Sequence, residues 1–473
     1  MNRQNFLGHL ALALSLILVA AFAGQLRRWE KNFSEHRTQR ECGSKDKVRR
    51  QTATDSTRTV LVKFRDNQSA SDIEDTIAAH HDQVTDKIEA LDDRLVAIYD
   101  LDNIKAESVA SEYNSLPGVE YAEVNQEIDL APNEATQDFF NDDQLNELQV
   151  PNDPQFAEQW GLQNTGQRGG QEAADIHALD AWKQTKGDRR VIVAVLDSGV
   201  DYTHSDLVGN MWTRPDNLTE YFDNELGYAN DRHGFNAVDN LADPMDENGH
   251  GTHCAGIIGA EGDNHEGIAG VNWQVQIMPL KFIGPSGSGS TKDAIEAINY
   301  VIERKRAGVN VRIISASWGS RANSKALEDV IRRAGEEGIL FVAAAGNSSV
   351  NTDTTPHYPS SYDLPNVLSV AATDRNDQLT SFSNYGPKSV QIAAPGADVL
   401  STWLGNAFEE HSGTSMAAPM VSGVAALIIA AEPNISMTDL RARLLDSADK
   451  LPQLKGKVAS GGRLNAARAV GAN

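Results

Sequence analysis

A set of continuous apolar runs in the second part of the chain constrains its fold more than any other feature. The first, Arg190 to Leu196, reads Arg-Val-Ile-Val-Ala-Val-Leu. With no alternation of polar and apolar residues, it predicts a strand buried on both faces. Val275 to Phe282, Val311 to Ser317, Leu340 to Ala345 and Val367 to Ala372 are similar. Helical patterns fall between and after them, at Thr291 to Arg306, Ser324 to Glu337, Ser415 to Ala431 and Met437 to Ala448. Strands alternating with helices predict an α/β fold in three layers, with a mostly parallel sheet covered on both faces. Ligands of such sheets bind beyond the carboxyl ends of the strands.

The chain upstream has a different character. Residues 1–23 carry a basic start, an apolar run and the small-x-small triplet Ala21-Phe22-Ala23, which predicts a secretory signal peptide. An uncleaved membrane anchor is the rival, because Arg27-Arg28 follow a run of near-spanning length. Residues 24–56 are polar and aperiodic and read as a linker. Residues 57–131 predict a small α+β domain of the ferredoxin-like kind. Its strands are expected at Thr59 to Phe64, Leu95 to Tyr99 and Gly118 to Val124, and its helices at Ser71 to His81 and Ile104 to Asn114. Residues 132–154, acidic and without pattern, read as a second linker open to proteolysis. The remaining domain is then 155–473.

The formal net charge of −24 argues against nucleic acid as a partner, since phosphate binding needs basic clusters. The two cysteines, Cys42 and Cys254, form no disulfide framework, and Cys254 is expected to be a free thiol.

Four short stretches hold groups suited to chemistry. Asp197-Ser198-Gly199 directly follows the first buried strand, where a turn residue and a site aspartate look alike. His250-Gly251-Thr252-His253-Cys254-Ala255-Gly256 places His250 at an exposed edge and His253 one turn further in, where a structural role is expected. Ala345-Gly346-Asn347 ends another strand with an amide able to donate to an oxyanion. Gly413-Thr414-Ser415-Met416-Ala417-Ala418-Pro419 sets a serine at the start of an apolar helix, the place of a cap or of a nucleophile.

Taken together and in this order, these stretches resemble the subtilisin-like serine proteases, or subtilases, over about Pro154 to Asn473. The order Asp, His, Ser is that of subtilisin and not of α/β-hydrolases or chymotrypsin-like enzymes. Residues 57–131 resemble the family's inhibitory propeptide, notably at Tyr121-Ala122-Glu123-Val124-Asn125. The resemblance implies a secreted serine endopeptidase made as a self-processing precursor, with catalytic Asp197, His250 and Ser415 and an oxyanion hole at Asn347. It implies polypeptide substrates lying between Gly287-Ser288-Gly289 and Ser317-Trp318-Gly319, although many relatives carry a smaller apolar residue at the Trp318 position. Its own propeptide would act as an intramolecular inhibitor, cut away near Ala131.

Calcium in a structural role is implied as well, with Asp206 matching a family ligand and Asp263 in the loop that wraps the ion. Asp239, Asp243 and Asp246 form a second group of hard oxygen ligands, Asp223, Asn224, Asn230 and Asp231 an acidic loop, and Asp374 a weaker candidate. The expected form is a monomer without stable membrane association after signal cleavage. A peptide-binding pseudoenzyme of the same fold and a non-peptidase serine hydrolase are the alternatives.

Overall fold

The long apolar runs line up as the centre of one nine-stranded sheet. Its order is Phe235–Asn236, Gln274–Lys281, Gly187–Asp197, Val311–Ala316, Leu340–Ala344, Val367–Thr373, Ile392–Pro395, Gly462–Arg463 and Asp449–Lys450. Every neighbouring pair is parallel except the last. The computed structural model describes residues 58–130, 134–135, 150–223, 227–238 and 243–472. The signal segment, Cys42 and most of the second linker lie outside the described residues.

The helix Thr414–Ala431 lies against the central strands and is buried from Thr414 to Ile429. It is long and apolar enough to cross a membrane, but 89% of that window is inside the protein, so it is a core helix. Thr291–Arg306 and Lys325–Glu336 pack against each other and contribute to a second apolar cluster, with Ile295, Ile298, Val330 and Ile331. The sheet is therefore covered on both faces, as its unbroken apolar strands require.

The first domain is a four-stranded antiparallel sheet in the order Asp82–Ile88, Leu95–Asp100, Thr59–Phe64, Val119–Val124, carrying helices Ala70–Ala79 and Ala106–Asn114. The edge strand Asp82–Ile88 was not among the expected elements. Its sequence, Asp-Gln-Val-Thr-Asp-Lys-Ile, is too polar to give a strand signal. In the second domain Val399–Trp403 and Ala407–Ser412, a hairpin beside the 414–431 helix, were likewise unforeseen.

The two domains share one compact unit beginning at Ser56. The first completes the amino ends of two helices of the second. Free N–H groups at a helix start need acceptors. At 325–336, Ser324 accepts from Leu327 N, while the Glu123 carboxylate accepts from Lys325 N at 2.9 Å and Ala326 N at 3.2 Å. At 291–306, Ser290 accepts from Asp293 N, Asn125 Oδ1 from Lys292 N and the Gln126 carbonyl from Thr291 N. Each helix thus has one cap of its own and further acceptors from the small domain. Tyr121 adds a hydrogen bond to Asp329, at 2.8 Å.

Replacing Glu123 by Ala should weaken this docking by about 1 kcal/mol, the usual scale for a lost helix cap. Faster hydrogen exchange confined to 119–124 and the start of the 325–336 helix is the expected readout.

Candidate active site

Three neighbouring parallel strands end side by side and deliver three groups. The strand 187–197 ends on Asp197, 311–316 is followed by Ser317, and 340–344 leads to Asn347. Two helices bring the other groups to this edge. His250 opens the helix His250–Gly259, and Ser415 sits in the first turn of 414–431.

The first helix comes close because Gly251 has no side chain. A Cβ there would lie 2.1 Å from the Gly199 carbonyl and 3.2 Å from Asp197 Cβ. Asp246 holds its amino end, accepting from Asn248 N, Gly249 N, Thr252 N and Thr252 Oγ1. That occupation makes it a helix cap.

His250 Nδ1 donates to Asp197 Oδ1 at 2.7 Å, with both side chains buried. Burial opposes charge on the imidazole, but attraction to Asp197 and the hydrogen bond outweigh it and raise the His250 pKa. With its proton on Nδ1, the ring leaves Nε2 as a lone pair, and that atom is buried without a protein partner. His253 is held differently. Its Nε2 meets the Glu409 carbonyl at 3.0 Å, and burial lowers its pKa far below the ordinary imidazole range, so it stays neutral.

Ser415 exchanges two hydrogen bonds with Ser317. Its Oγ donates to the Ser317 carbonyl at 2.9 Å, and Ser317 Oγ donates back to the Ser415 carbonyl at 2.8 Å. The second bond has a cause in the sequence. Pro419 stands four residues after Ser415 and has no N–H to give that carbonyl. Pro419 lies in the second turn of the helix and leaves a carbonyl that Ser317 and the Cys254 thiol, at 3.5 Å, take up.

Asn347 is fixed by the same helix start. Its Oδ1 accepts from Thr414 N at 2.9 Å and from Thr414 Oγ1 at 2.8 Å, so its Nδ2 faces the other way. Gly413 lies directly beside it. Its φ of 164° is extended backbone open to any residue, so the glycine does not serve to free the turn. A Cβ at Gly413 would instead lie 3.1 Å from Asn347 Nδ2. The glycine keeps space around the amide.

Asp197, His250 and Cys254 are the one trio of potential ligand groups within 4.8 Å of one another among the described residues. Burial, with the charge of Asp197, pushes the Cys254 thiol well above its ordinary pKa, which keeps it protonated. With the carboxylate and imidazole bonded to each other, the trio suits proton transfer.

A peptide already lies along this edge, and it is the chain itself. Glu127–Asp129 pairs antiparallel with Ser288–Ser290, matching Gly289 to Ile128, and Leu130 N donates to the Gly287 carbonyl at 2.8 Å. Glu134–Ala135 then pairs with Ser412 and His411, just before Ser415. Trp318 does not stand at the rim. Its indole N–H donates to the Leu196 carbonyl at 2.9 Å and its ring packs on Phe282, within the same apolar cluster as Ile128.

Residues 188–471 match the Subtilase family, and residues 53–125 match the Fervidolysin N-terminal prodomain. The chain belongs to the subtilase family. This subtilase is 36% identical over 365 residues to the thermophilic serine proteinase of Bacillus sp. (strain AK1), covering 77% of this chain and 76% of the relative. It is 36% identical over 322 residues to thermitase of Thermoactinomyces vulgaris, covering 68% and 99%. It is a subtilisin-like serine protease with an N-terminal prodomain.

The expected cation ligands separate in this structure. Asp206 is fully buried, accepting from Asn264 Nδ2 at 2.8 Å and Ile268 N at 3.0 Å. Burial, together with the nearby carboxylates of Asp153 and Glu266, raises its pKa to about 7. Asp153, which the sequence reading missed because it fell in the presumed linker, accepts from Asp263 N at 2.8 Å. The Asp263 side chain is exposed. Asp243 is bound to Tyr202 and Met245 N, and Asp374 closes a turn through Asn376 N and Gln378 N. Asp231 is buried against Arg214, Arg304 and Tyr300. Asp239 and Asn224 lie outside the described residues.

Substituting Asn347 by Ala should lower kcat by about 10²–10³, the range for loss of one side-chain donor to an oxyanion, with KM little changed. Steady-state kinetics on a chromogenic peptide measures both.

Proposed function

We propose that this subtilase is a secreted endopeptidase that cuts its own precursor, with Asp197, His250 and Ser415 as its triad. The observation that carries this reading is the path of the chain on either side of Ser415. Residues 127–130 add a strand to the 287–290 edge, as a substrate does when it is held through its backbone. Residues 134–135 pair with the 411–412 segment that leads into Ser415. The bond to be cut then falls between Leu130 and Glu134, in agreement with cleavage near Ala131.

In this reading a substrate carbonyl meets Ser415 Oγ, which gives up its bond to Ser317 and passes its proton to His250 Nε2. Asp197 stabilises the imidazolium and keeps the Nδ1 tautomer. Asn347 Nδ2 and the Ser415 N–H hold the oxyanion. The imidazolium then protonates the leaving amine, and water hydrolyses the acyl-enzyme by the same route in reverse. Gly287, Ser288 and Gly289 form one edge of the substrate channel and Ser317, Trp318 and Gly319 the other, with Trp318 acting from below. Such a site takes polypeptides in extended form.

Purified Ser415→Ala precursor should remain uncut while wild type separates into two pieces, as seen by mass spectrometry. Processing of the purified variant at the normal position would overturn self-cleavage. Labelling of wild type by a fluorophosphonate sets the enzyme apart from a pseudoenzyme. Turnover of small esters without any cleavage of casein would mark a non-peptidase hydrolase.

Calcium fits one place. Asp206 and Asp153 are carboxylates of like charge held close and away from water, a strain that a hard divalent cation relieves. Asn264 adds an amide beside them. The ion would bind the loop 261–268 to the start of the domain and would take no part in proton transfer. Chelation should therefore lower the Tm of wild type by several degrees, and Asp206→Asn should lower the Tm and remove that response in a thermal melt.

A further inference from the structure

Where the small domain meets the 291–306 helix, carboxyl side chains of both domains come together, and one lysine pairs with two of them. Asp86 and Glu89 come from the small domain, Glu296 from the helix and Asp223 from the strand Tyr221–Asp223. Asp86, Asp223 and Glu296 are each 5% exposed or less. The Lys292 ammonium lies 3.5 Å from Asp86 and is also paired with Glu296. Asn299 completes the contact, accepting from Ala90 N at 2.7 Å and donating to Glu89 at 2.7 Å and to the Tyr221 hydroxyl at 3.0 Å. Asp293 adds another carboxyl beside Glu296.

The other charged groups packed here are committed elsewhere. Asp329 and Arg332 of the 325–336 helix pair with each other, and Lys325 lies over Tyr121 and near Glu120. Lys63 donates to the Leu91 carbonyl, and Arg304 pairs with Asp231.

Ionising Asp86, Glu89, Asp223 and Glu296 together would crowd like charges where water is largely excluded. Oδ2 of Asp86 and Oε2 of Glu296 are buried without hydrogen-bond donors. The two side chains are close enough for a proton shared between them to satisfy both. Two of the four groups leave with the small domain and two stay, so ionisation opposes docking and separation relieves it.

We propose that this cluster makes docking of the prodomain depend on bound protons, so that the prodomain loosens from the protease as the medium turns from acidic to neutral and alkaline. The proposal rests on residues 57–131 acting as the inhibitor of this protease.

The direction follows from the groups themselves. Burial, reinforced by Asp86 and Asp223, raises Glu89 to about 7 in the docked state, against about 4.3 for a free glutamate. Burial holds Glu296 well above its ordinary value. A carboxyl raised in the docked state favours docking fully below its free pKa and loses that contribution as pH rises toward its docked pKa. For Glu89 that window runs from about pH 4.3 to about pH 7, with about a tenfold weakening per pH unit for each proton released.

The test uses the full-length chain carrying Ser415→Ala, shown by mass spectrometry to be uncut in each sample, so that its outcome does not depend on what performs the cleavage. Hydrogen exchange is followed by mass spectrometry from pH 5 to 8.5, corrected for intrinsic rates. Protection of residues 84–91 and 292–299 should fall as pH rises through the window, while the 340–344 strand stays protected. Adding Glu89→Gln should leave the interface protected at pH 8 and flatten the profile by tenfold or more. Asp86→Asn serves as a second variant should the first fail to fold. Identical pH profiles with and without these substitutions, or protection that grows with pH, would overturn the proposal.

Discussion

The constraint behind this molecule is the shared direction of its central strands. A parallel sheet gathers all its carboxyl ends at one edge, where backbone and side-chain groups have no further partners within the sheet. Adjacent strands here end in Asp197 or lead on to Ser317 and Asn347. The strands themselves leave the Asp197 carboxylate, the Ser317 carbonyl and the Asn347 amide with capacity for further partners. Helices packed across the edge supply them, through His250, the Ser415 hydroxyl and Thr414. The reactive constellation is therefore also the means by which two helices are seated on the sheet. Loosening either seat moves a catalytic candidate and uncovers buried polar atoms together.

The start of the 414–431 helix shows how closely these demands are joined. Pro419 removes a helical N–H, which frees the Ser415 carbonyl to bind Ser317 and thereby ties the serine to its neighbouring strand. Thr414 turns the Asn347 amide outward, and Gly413 leaves that amide room. Three residues of unremarkable chemistry thus set the position of the serine and the aim of the amide.

What could be read in advance follows the same physics. The central strands are continuous apolar runs because both faces are covered, so their places were legible almost to the residue. The helix Thr291–Arg306 was legible to its ends because Ser290 caps it and basic residues close it. Asp82–Ile88 was not, since an edge strand against a charged interface needs no apolar run. Asp197, His250, Asn347 and Ser415 were found through their order along the chain. Asp153 was missed because its role depends on the 261–268 loop, more than a hundred residues away. The capping role of Asp246 was not legible, because a buried cap and a cation ligand have the same composition and only its hydrogen bonds reveal the cap.

The prodomain extends this logic to a temporary part. It supplies acceptors to two helix starts that the protease caps only once each, and it lays residues 127–129 along the 288–290 edge. Both are attractive contacts made to backbone N–H groups or between backbones. Set against them is the carboxyl group around Lys292, whose cost of ionisation grows as protons become scarce. In the proposed reading, where the small domain inhibits and is later released, such an opposing element complements helix caps and added strands, which are attractive by nature. In that reading, its place more than 40 residues before Ala131, in a surface that carries none of the chemistry, lets docking strength vary with the medium while the geometry around Ser415 stays the same.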